Sequence, residues 1–253
     1  MDYKDLLATA LRAAEEAVRV ILEVYDSNDF QTEHKADDSP VTIADKRANA
    51  VIEKHLAVTG LPVLSEEGRN VPYAERSQWE YFWMVDPLDG TKEFLKRNGD
   101  FTVNIALIGQ GMPRLGVVAI PVTGEVFYAA PGWGAFKRTA GRDIVLHKRS
   151  AIDLSQPGLR VMASRTHLDD QTRSFIAGLK EPVLMSRGSS LKFLLLAEGQ
   201  ADVYPRFSPT MEWDTAAAHA VLKGVGLSVY QEGQKNELVY NKEDLRNPGF
   251  LAG

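Results

Sequence analysis

The stretch Trp83-Met84-Val85-Asp86-Pro87-Leu88-Asp89-Gly90-Thr91-Lys92-Glu93-Phe94 decides how this chain is read, because an apolar run ends there in two carboxylates, a proline, a glycine and a hydroxyl. Phe82 to Val85 has the aromatic and aliphatic content of a buried strand. Pro87 cannot continue a central ladder, and Gly90 permits backbone geometry that other residues resist. The turn therefore projects Asp86 and Asp89 from the carboxyl end of a strand. Two carboxylates held together repel by roughly 4 kcal/mol at about 4 Å with an effective dielectric near 20. A hard divalent cation such as Mg²⁺ would relieve this, and the turn also offers the Leu88 carbonyl as an oxygen ligand. In isolation the same residues read equally well as a polar turn with Asx-type hydrogen bonds.

Outward from this stretch, a second apolar run, Val63-Leu64-Ser65, also ends in acidic residues, Glu66-Glu67-Gly68. If the two strands are neighbours, Glu66 or Glu67 approaches Asp86 and Asp89; otherwise the segment is a solvated surface turn. Upstream, the apolar residues between Leu6 and Tyr25 follow helical spacing and predict an amphipathic core helix. Asp26 to Asp38 lacks periodicity and reads as a long loop, of the kind that is either mobile or functional. Thr42 and Asp45 then have the spacing of a capping box opening a second helix that runs to about Val58. Asp45 is either only a helix-terminal charge or a carboxylate that supports a site.

Downstream, Phe101 to Ile108 and Leu115 to Ile120 flank Gly109-Gln110-Gly111 as a hairpin, followed by strands at Glu125 to Ala130 and Ala135 to Arg138. The first half thus reads as two helices on a mainly antiparallel sheet, an α+β arrangement. From about Leu159 the pattern becomes α/β. Strands are expected at Leu159 to Ala163, Val183 to Met185 and Ala201 to Tyr204, with helices from Asp169 and from Ser190 to Glu198. Trp213-Asp214-Thr215 opens an alanine-rich helix that stops at Gly224, where Asp214 by itself would be an N-cap. The expected division is an N-terminal lobe, 1–155, and a C-terminal lobe, 156–253, sharing a cleft.

Composition narrows the function classes. With 253 residues and 44% hydrophobic content the chain can bury a large core, and its net charge of −5 argues against broad nucleic-acid binding while leaving room for a small anionic ligand. It has no cysteine, which excludes disulfides, thiolate catalysis and cysteine-ligated metals. No apolar run approaches the ~20 residues of a membrane helix, and the N-terminus lacks a signal-peptide pattern. A cytoplasmic location is expected, with peripheral contact with a membrane's cytoplasmic face left open, as is oligomeric state.

Glu66-Glu67, Asp86-Pro87-Leu88-Asp89-Gly90-Thr91 and Trp213-Asp214-Thr215-Ala216-Ala217 together resemble the lithium-sensitive, magnesium-dependent phosphatases of the inositol monophosphatase superfamily. The motifs stand in that family's order and span nearly the whole chain. The resemblance implies a layered α/β fold of two lobes with two or three Mg²⁺ ions between them. It implies metal ligands at Glu66, Asp86, Asp89, Asp214 and the carbonyl of Leu88. It also implies a Thr91–Asp45 pair that, with Glu66, prepares the attacking water, and no covalent intermediate. The amides of Gly90 and Thr91 and the helix after Asp214 would face the phosphate.

Lys92-Glu93-Phe94, Ser164-Arg165-Thr166-His167, Gly188-Ser189-Ser190-Leu191-Lys192-Phe193 and Tyr204-Pro205-Arg206-Phe207 are similar to the bisphosphate nucleotidase branch. That likeness implies substrate contacts at Ser164, His167, Gly188, Ser189, Ser190, Lys192 and Arg206, and hydrolysis of the 3′-phosphate of adenosine 3′,5′-bisphosphate. The alternatives are a phosphatase of the same superfamily acting on inositol phosphates, histidinol phosphate or a sugar bisphosphate, and a non-catalytic metal- or nucleotide-binding regulator. A haloacid-dehalogenase-type nucleophile is disfavoured because Pro87 and Leu88, not one residue, separate the two acids.

Overall fold

Strand character continues through Pro87 and does not stop at Val85. A computed structural model describes residues 2–27, 29–35, 38–163 and 168–253. In it the strands β1 (Glu33–His34), β2 (Pro40–Val41), β3 (Val63–Ser65) and β4 (Tyr81–Asp89) precede β5 (Thr102–Gly109). β4 and β5 are antiparallel, with Asp86 opposite Asn104 and Asp89 opposite Thr102. Three steps along β4 therefore match two along β5, which is a bulge, and a bulge is where a strand tolerates proline. The bulge also corrects parity. Residues three apart in a regular strand point to opposite faces, whereas Asp86 and Asp89 lie opposite partners two apart and so share one face.

That face is fixed by the core. β5 continues into β6 (Met112–Ile120), β7 (Glu125–Ala130), β8 (Gly134–Thr139) and β9 (Arg142–Leu146), giving a seven-stranded sheet in the order β3-β4-β5-β6-β7-β8-β9. Within this sheet only the β3–β4 pair is parallel. Trp83, Val85, Val103, Ile105 and Leu107 pack with the helices α1 (Tyr3–Ser27) and α2 (Ile43–Leu56). Phe82, Met84, Ala106 and Ile108 pack on the other side. Asp86 and Asn104 continue this second set.

The second set meets helices from the other half of the chain. Two short helices, α3 (Tyr73–Arg76) and α4 (Thr91–Leu95), flank β4; α5 (Asp170–Ala177), α6 (Leu191–Ala197) and α7 (Glu212–Gly224) follow the sheet. Ala216, Ala217, Val221 and Leu222 of α7 share the core with Phe193 and Leu194 of α6. The helix comes very close to β6: a Cβ on Gly116 would meet the Ala217 carbonyl at 2.2 Å. Small alanines and this glycine allow a helix to lie directly on the strand.

The remaining strands are β10 (Arg160–Met162), β11 (Val183–Met185), β12 (Tyr204–Arg206), β13 (Val229–Gln231) and β14 (Phe250–Ala252). They form a parallel pair, β10–β11, and a three-stranded sheet, β12-β14-β13. The whole is a layered α/β structure. Beyond the continuation of β4, four further details depart from expectation. The 26–38 segment carries the two-residue strand β1, paired with β2. The strand expected at Ala201 to Tyr204 is displaced to Tyr204–Arg206. β9 follows the Ala140-Gly141 turn, which lacks the usual Asn-Gly or Asp-Gly signature. Asp214 is not the N-cap of α7, because the cap is Met211, and Asp214 is the third helical residue.

Candidate active site

Because β3 and β4 are parallel neighbours, with Ser65 opposite Val85, both deliver their acidic residues at the same end of the sheet. Asp214 reaches that end from the N-terminus of α7, where its Oδ2 accepts a hydrogen bond from Met211 N at 2.8 Å. The result is a cluster in which Asp86, Asp89 and Asp214 each bring a carboxylate oxygen within 4.8 Å of the others. Burial, and then the charges of Glu66, Asp89 and Asp214, push the Asp86 carboxyl well above its usual range. Asp214 is likewise raised, by burial and by Asp89, with Arg206 and the Met211 amide opposing. Carboxylates so placed call for a cation, and an all-oxygen donor set suits a hard divalent one.

Leu88 closes the turn: its N–H donates to Asp86 Oδ1 at 3.0 Å, and its carbonyl lies 3.3 Å from Thr91 Oγ1. Gly90 has φ 96°, and a Cβ there would meet the Asp100 carbonyl at 3.0 Å, so both backbone and space require glycine. Thr91 Oγ1 also lies 3.0 Å from Asp45 Oδ1. Asp45 Oδ2 accepts from Thr42 N at 2.8 Å and from Thr42 Oγ1 at 2.6 Å. Both readings of Asp45 therefore hold: one oxygen caps α2 and the other grips Thr91. Burial raises its carboxyl despite these hydrogen bonds, which makes it a better proton acceptor.

Glu66 stands beside the cluster but is engaged elsewhere. Its Oε1 accepts from Lys35 Nζ at 2.7 Å, and Lys35 also pairs with Glu67. Burial raises the Glu66 carboxyl, and Lys35 only partly opposes this. Nothing in the aperiodic 26–38 segment marked Lys35 in advance.

A cavity of about 300 Å³ opens from Asp89 and Asp214 and is lined by Lys192, Tyr204 and Arg206 among others. Lys192 Nζ donates to the Ser189 carbonyl at 2.6 Å. Arg206 Nε and Ser208 Oγ are themselves buried with no hydrogen-bond partner among the described residues; what the wall offers the cavity is the positive charge of Lys192 and Arg206. Lys92, Lys96 and Arg187 also line the cavity, which the sequence reading did not assign. Gly188 is pinned by its N–H to Asp100 Oδ2 at 2.9 Å. The Ser189 hydroxyl is spent on Asp89 Oδ2 at 2.5 Å, and the Ser190 hydroxyl lies 3.0 Å from the same atom. Ser164 and His167 lie outside the described residues. Asn104 was also missed, although a polar residue inside the apolar run Phe101 to Ile108 was a signal.

This fold and this acidic cluster belong to a recognisable class. The sequence matches the inositol monophosphatase family over residues 2–251, and the chain belongs to that family, which is metal-dependent. Within it, the chain is 46% identical over 249 residues to the 3′(2′),5′-bisphosphate nucleotidase CysQ of Salmonella typhimurium, covering 97% of this chain and 98% of that protein. The CysQ of Escherichia coli K12 is also 46% identical, over 250 residues, with 97% and 98% covered. The crystal structure of CysQ from Bacteroides thetaiotaomicron, a bacterial member of the family, superposes with a TM-score of 0.86 at 43% identity, covering 99% of this chain and 97% of that one.

Proposed function

We propose that the chain is a Mg²⁺-dependent cytoplasmic phosphatase that removes the 3′-phosphate of adenosine 3′,5′-bisphosphate, leaving AMP, and that accepts the sulfated analogue as a second substrate. The observation that carries this is one cavity lined by Asp89 and Asp214 of the carboxylate cluster and, on its wall, by the cations Lys192 and Arg206. One substrate phosphate would meet the cluster and the other the cations. The likeness to CysQ proteins over 97% of the chain supports the nucleotide.

Asp86, Asp89, Asp214, Glu66 and the Leu88 carbonyl would hold two or three Mg²⁺ ions between the lobes 1–155 and 156–253. When bound, the ions supply charge neutralisation for the phosphoryl oxygens and a more acidic nucleophile. The protein's own part is orientation and proton handling. With its proton committed to Asp45 Oδ1, the Thr91 hydroxyl offers lone pairs to the attacking water, and Asp45 draws the proton off through it. Glu66 shares this task once it exchanges Lys35 for the site. The amides of Gly90 and Thr91 face the reacting phosphate, while Gly188, Lys192 and Arg206, with Ser164 and His167, hold the rest of the nucleotide. Asp89→Asn should lower kcat by about 10²–10³-fold, the scale on which one lost electrostatic stabiliser is felt, with a metal-free melting temperature no lower than that of wild type, because the substitution removes a charge that repels Asp86 and Asp214. Wild-type kcat in that variant would remove Asp89 from the metal site.

A further inference from the structure

One oxygen of Asp89 is taken up by the protein. Oδ2 accepts from Ser189 Oγ at 2.5 Å, Ser190 N at 2.8 Å and Asn104 Nδ2 at 3.3 Å, and lies 3.0 Å from Ser190 Oγ; Thr102 Oγ1 lies 2.6 Å from Ser189 Oγ and, because the Ser189 proton is on Asp89, donates to that hydroxyl. No hydrogen bond among the described residues reaches Oδ1. These groups come from two directions: Thr102 and Asn104 from β5, Ser189 and Ser190 from the turn before α6. Asn104 Nδ2 also donates to Ser190 Oγ at 3.0 Å, and Ser190 Oγ lies 2.9 Å from the Asp214 carbonyl. The same few groups thus touch a ligand-bearing turn in the first half of the chain and the main chain of a ligand in the second.

The turn is built for this position. Ser189 has φ 51°, a left-handed conformation that serine adopts rarely, and it is followed by Ser190 in the right-handed helical region. This geometry turns the Ser190 N–H toward the carboxylate, where it donates to Asp89 Oδ2. Gly188 before it has no room for a Cβ, which would meet the Asp100 carbonyl at 2.8 Å. Asn104 is 1% exposed and faces the site from a strand that, apart from Thr102, is otherwise apolar. A buried amide in such a place is retained for its hydrogen bonds.

We infer that Asn104, acting with the Ser189-Ser190 turn, is a positioning residue that fixes the Asp89 carboxylate in one orientation, reserves Oδ1 for a cation, and thereby sets metal affinity. This rests on the proposed metal site. Such outer partners typically carry a 10–100-fold share of metal affinity.

The test is calorimetric titration of Mn²⁺ into wild-type protein, Asn104→Ala and the near-isosteric Thr102→Val, without substrate, alongside metal-free melting temperatures and KM for the nucleotide at saturating metal. Asn104→Ala should raise the Mn²⁺ Kd about 10–100-fold, with KM within twofold of wild type. Thr102→Val, which loosens Ser189, should raise the Kd in the same direction by about tenfold or less, and it decides the matter if Asn104→Ala fails to fold. Wild-type Mn²⁺ affinity in the folded variants, or an effect confined to KM, overturns the inference while leaving the metal site standing. Absence of Mn²⁺ binding by the wild-type protein overturns the metal site itself and the inference with it.

Discussion

Lys192 is the residue whose chemistry is most exposed to measurement. Burial pulls its ammonium down to about 8, with the Arg206 charge adding to the fall and Asp89, Glu93 and Asp100 opposing it. Its charged form is the one that attracts a phosphate, so the benefit is present below pH 8 and lost as pH rises through that value. Because kcat/KM reports groups of the free enzyme, kcat/KM for adenosine 3′,5′-bisphosphate should fall between pH 7 and 9 at fixed Mg²⁺. Lys192→Arg should abolish this limb, and an identical profile in the variant would remove Lys192 from substrate binding. At this scale the sequence was informative where a residue's role is written next to it: Asp86, Asp89 and Asp214 each stand in a motif beside a strand end or helix start. The partners that complete those roles were not legible. Lys35 on Glu66, Asn104 on Asp89, Thr102 on Ser189, and Asp100 on Gly188 are contacts between distant segments, which local pattern does not encode.

At the scale of elements, the site depends on how closely α7 approaches the sheet. Gly116 of β6 is the point of contact: a Cβ there would lie 2.2 Å from the Ala217 carbonyl and 2.8 Å from the Ala220 Cβ. Gly116→Ala should destabilise the fold by about 1–3 kcal/mol, as overpacking does, measured by chemical denaturation. It should also weaken metal binding by shifting Asp214. A variant as stable as wild type would mean that α7 has room to move without cost. The helices and most strands could be read from period and punctuation: α1, the hairpin at Gln110-Gly111, and Glu125–Ala130 fall where apolar spacing and turn residues put them. The bulge in β4 could not. Pro87 argues for a break, and only the pairing of Asp86 with Asn104 and Asp89 with Thr102 shows that the strand absorbs it and brings both acids to one face.

At the scale of the molecule, the site joins halves distant in sequence. One face of a seven-stranded sheet is covered by the first two helices and the other by α6 and α7, so the end of β4 and the first turn of α7 meet, with Asp89 and Asp214 lining one cavity. A substrate bearing two phosphates would fit both the carboxylate cluster and the Lys192–Arg206 wall, whereas a monophosphate would satisfy only the first. The most direct measurement is phosphate release from adenosine 3′,5′-bisphosphate and from inositol 1-phosphate in parallel, at fixed Mg²⁺, after chelation, and with added lithium. The prediction is release that requires metal, is inhibited by lithium, and has a kcat/KM about 10²-fold or more higher for the nucleotide, as expected when two charge-assisted contacts are lost with the second phosphate. Release that persists without metal, or inositol 1-phosphate turned over as efficiently as the nucleotide, would contradict it.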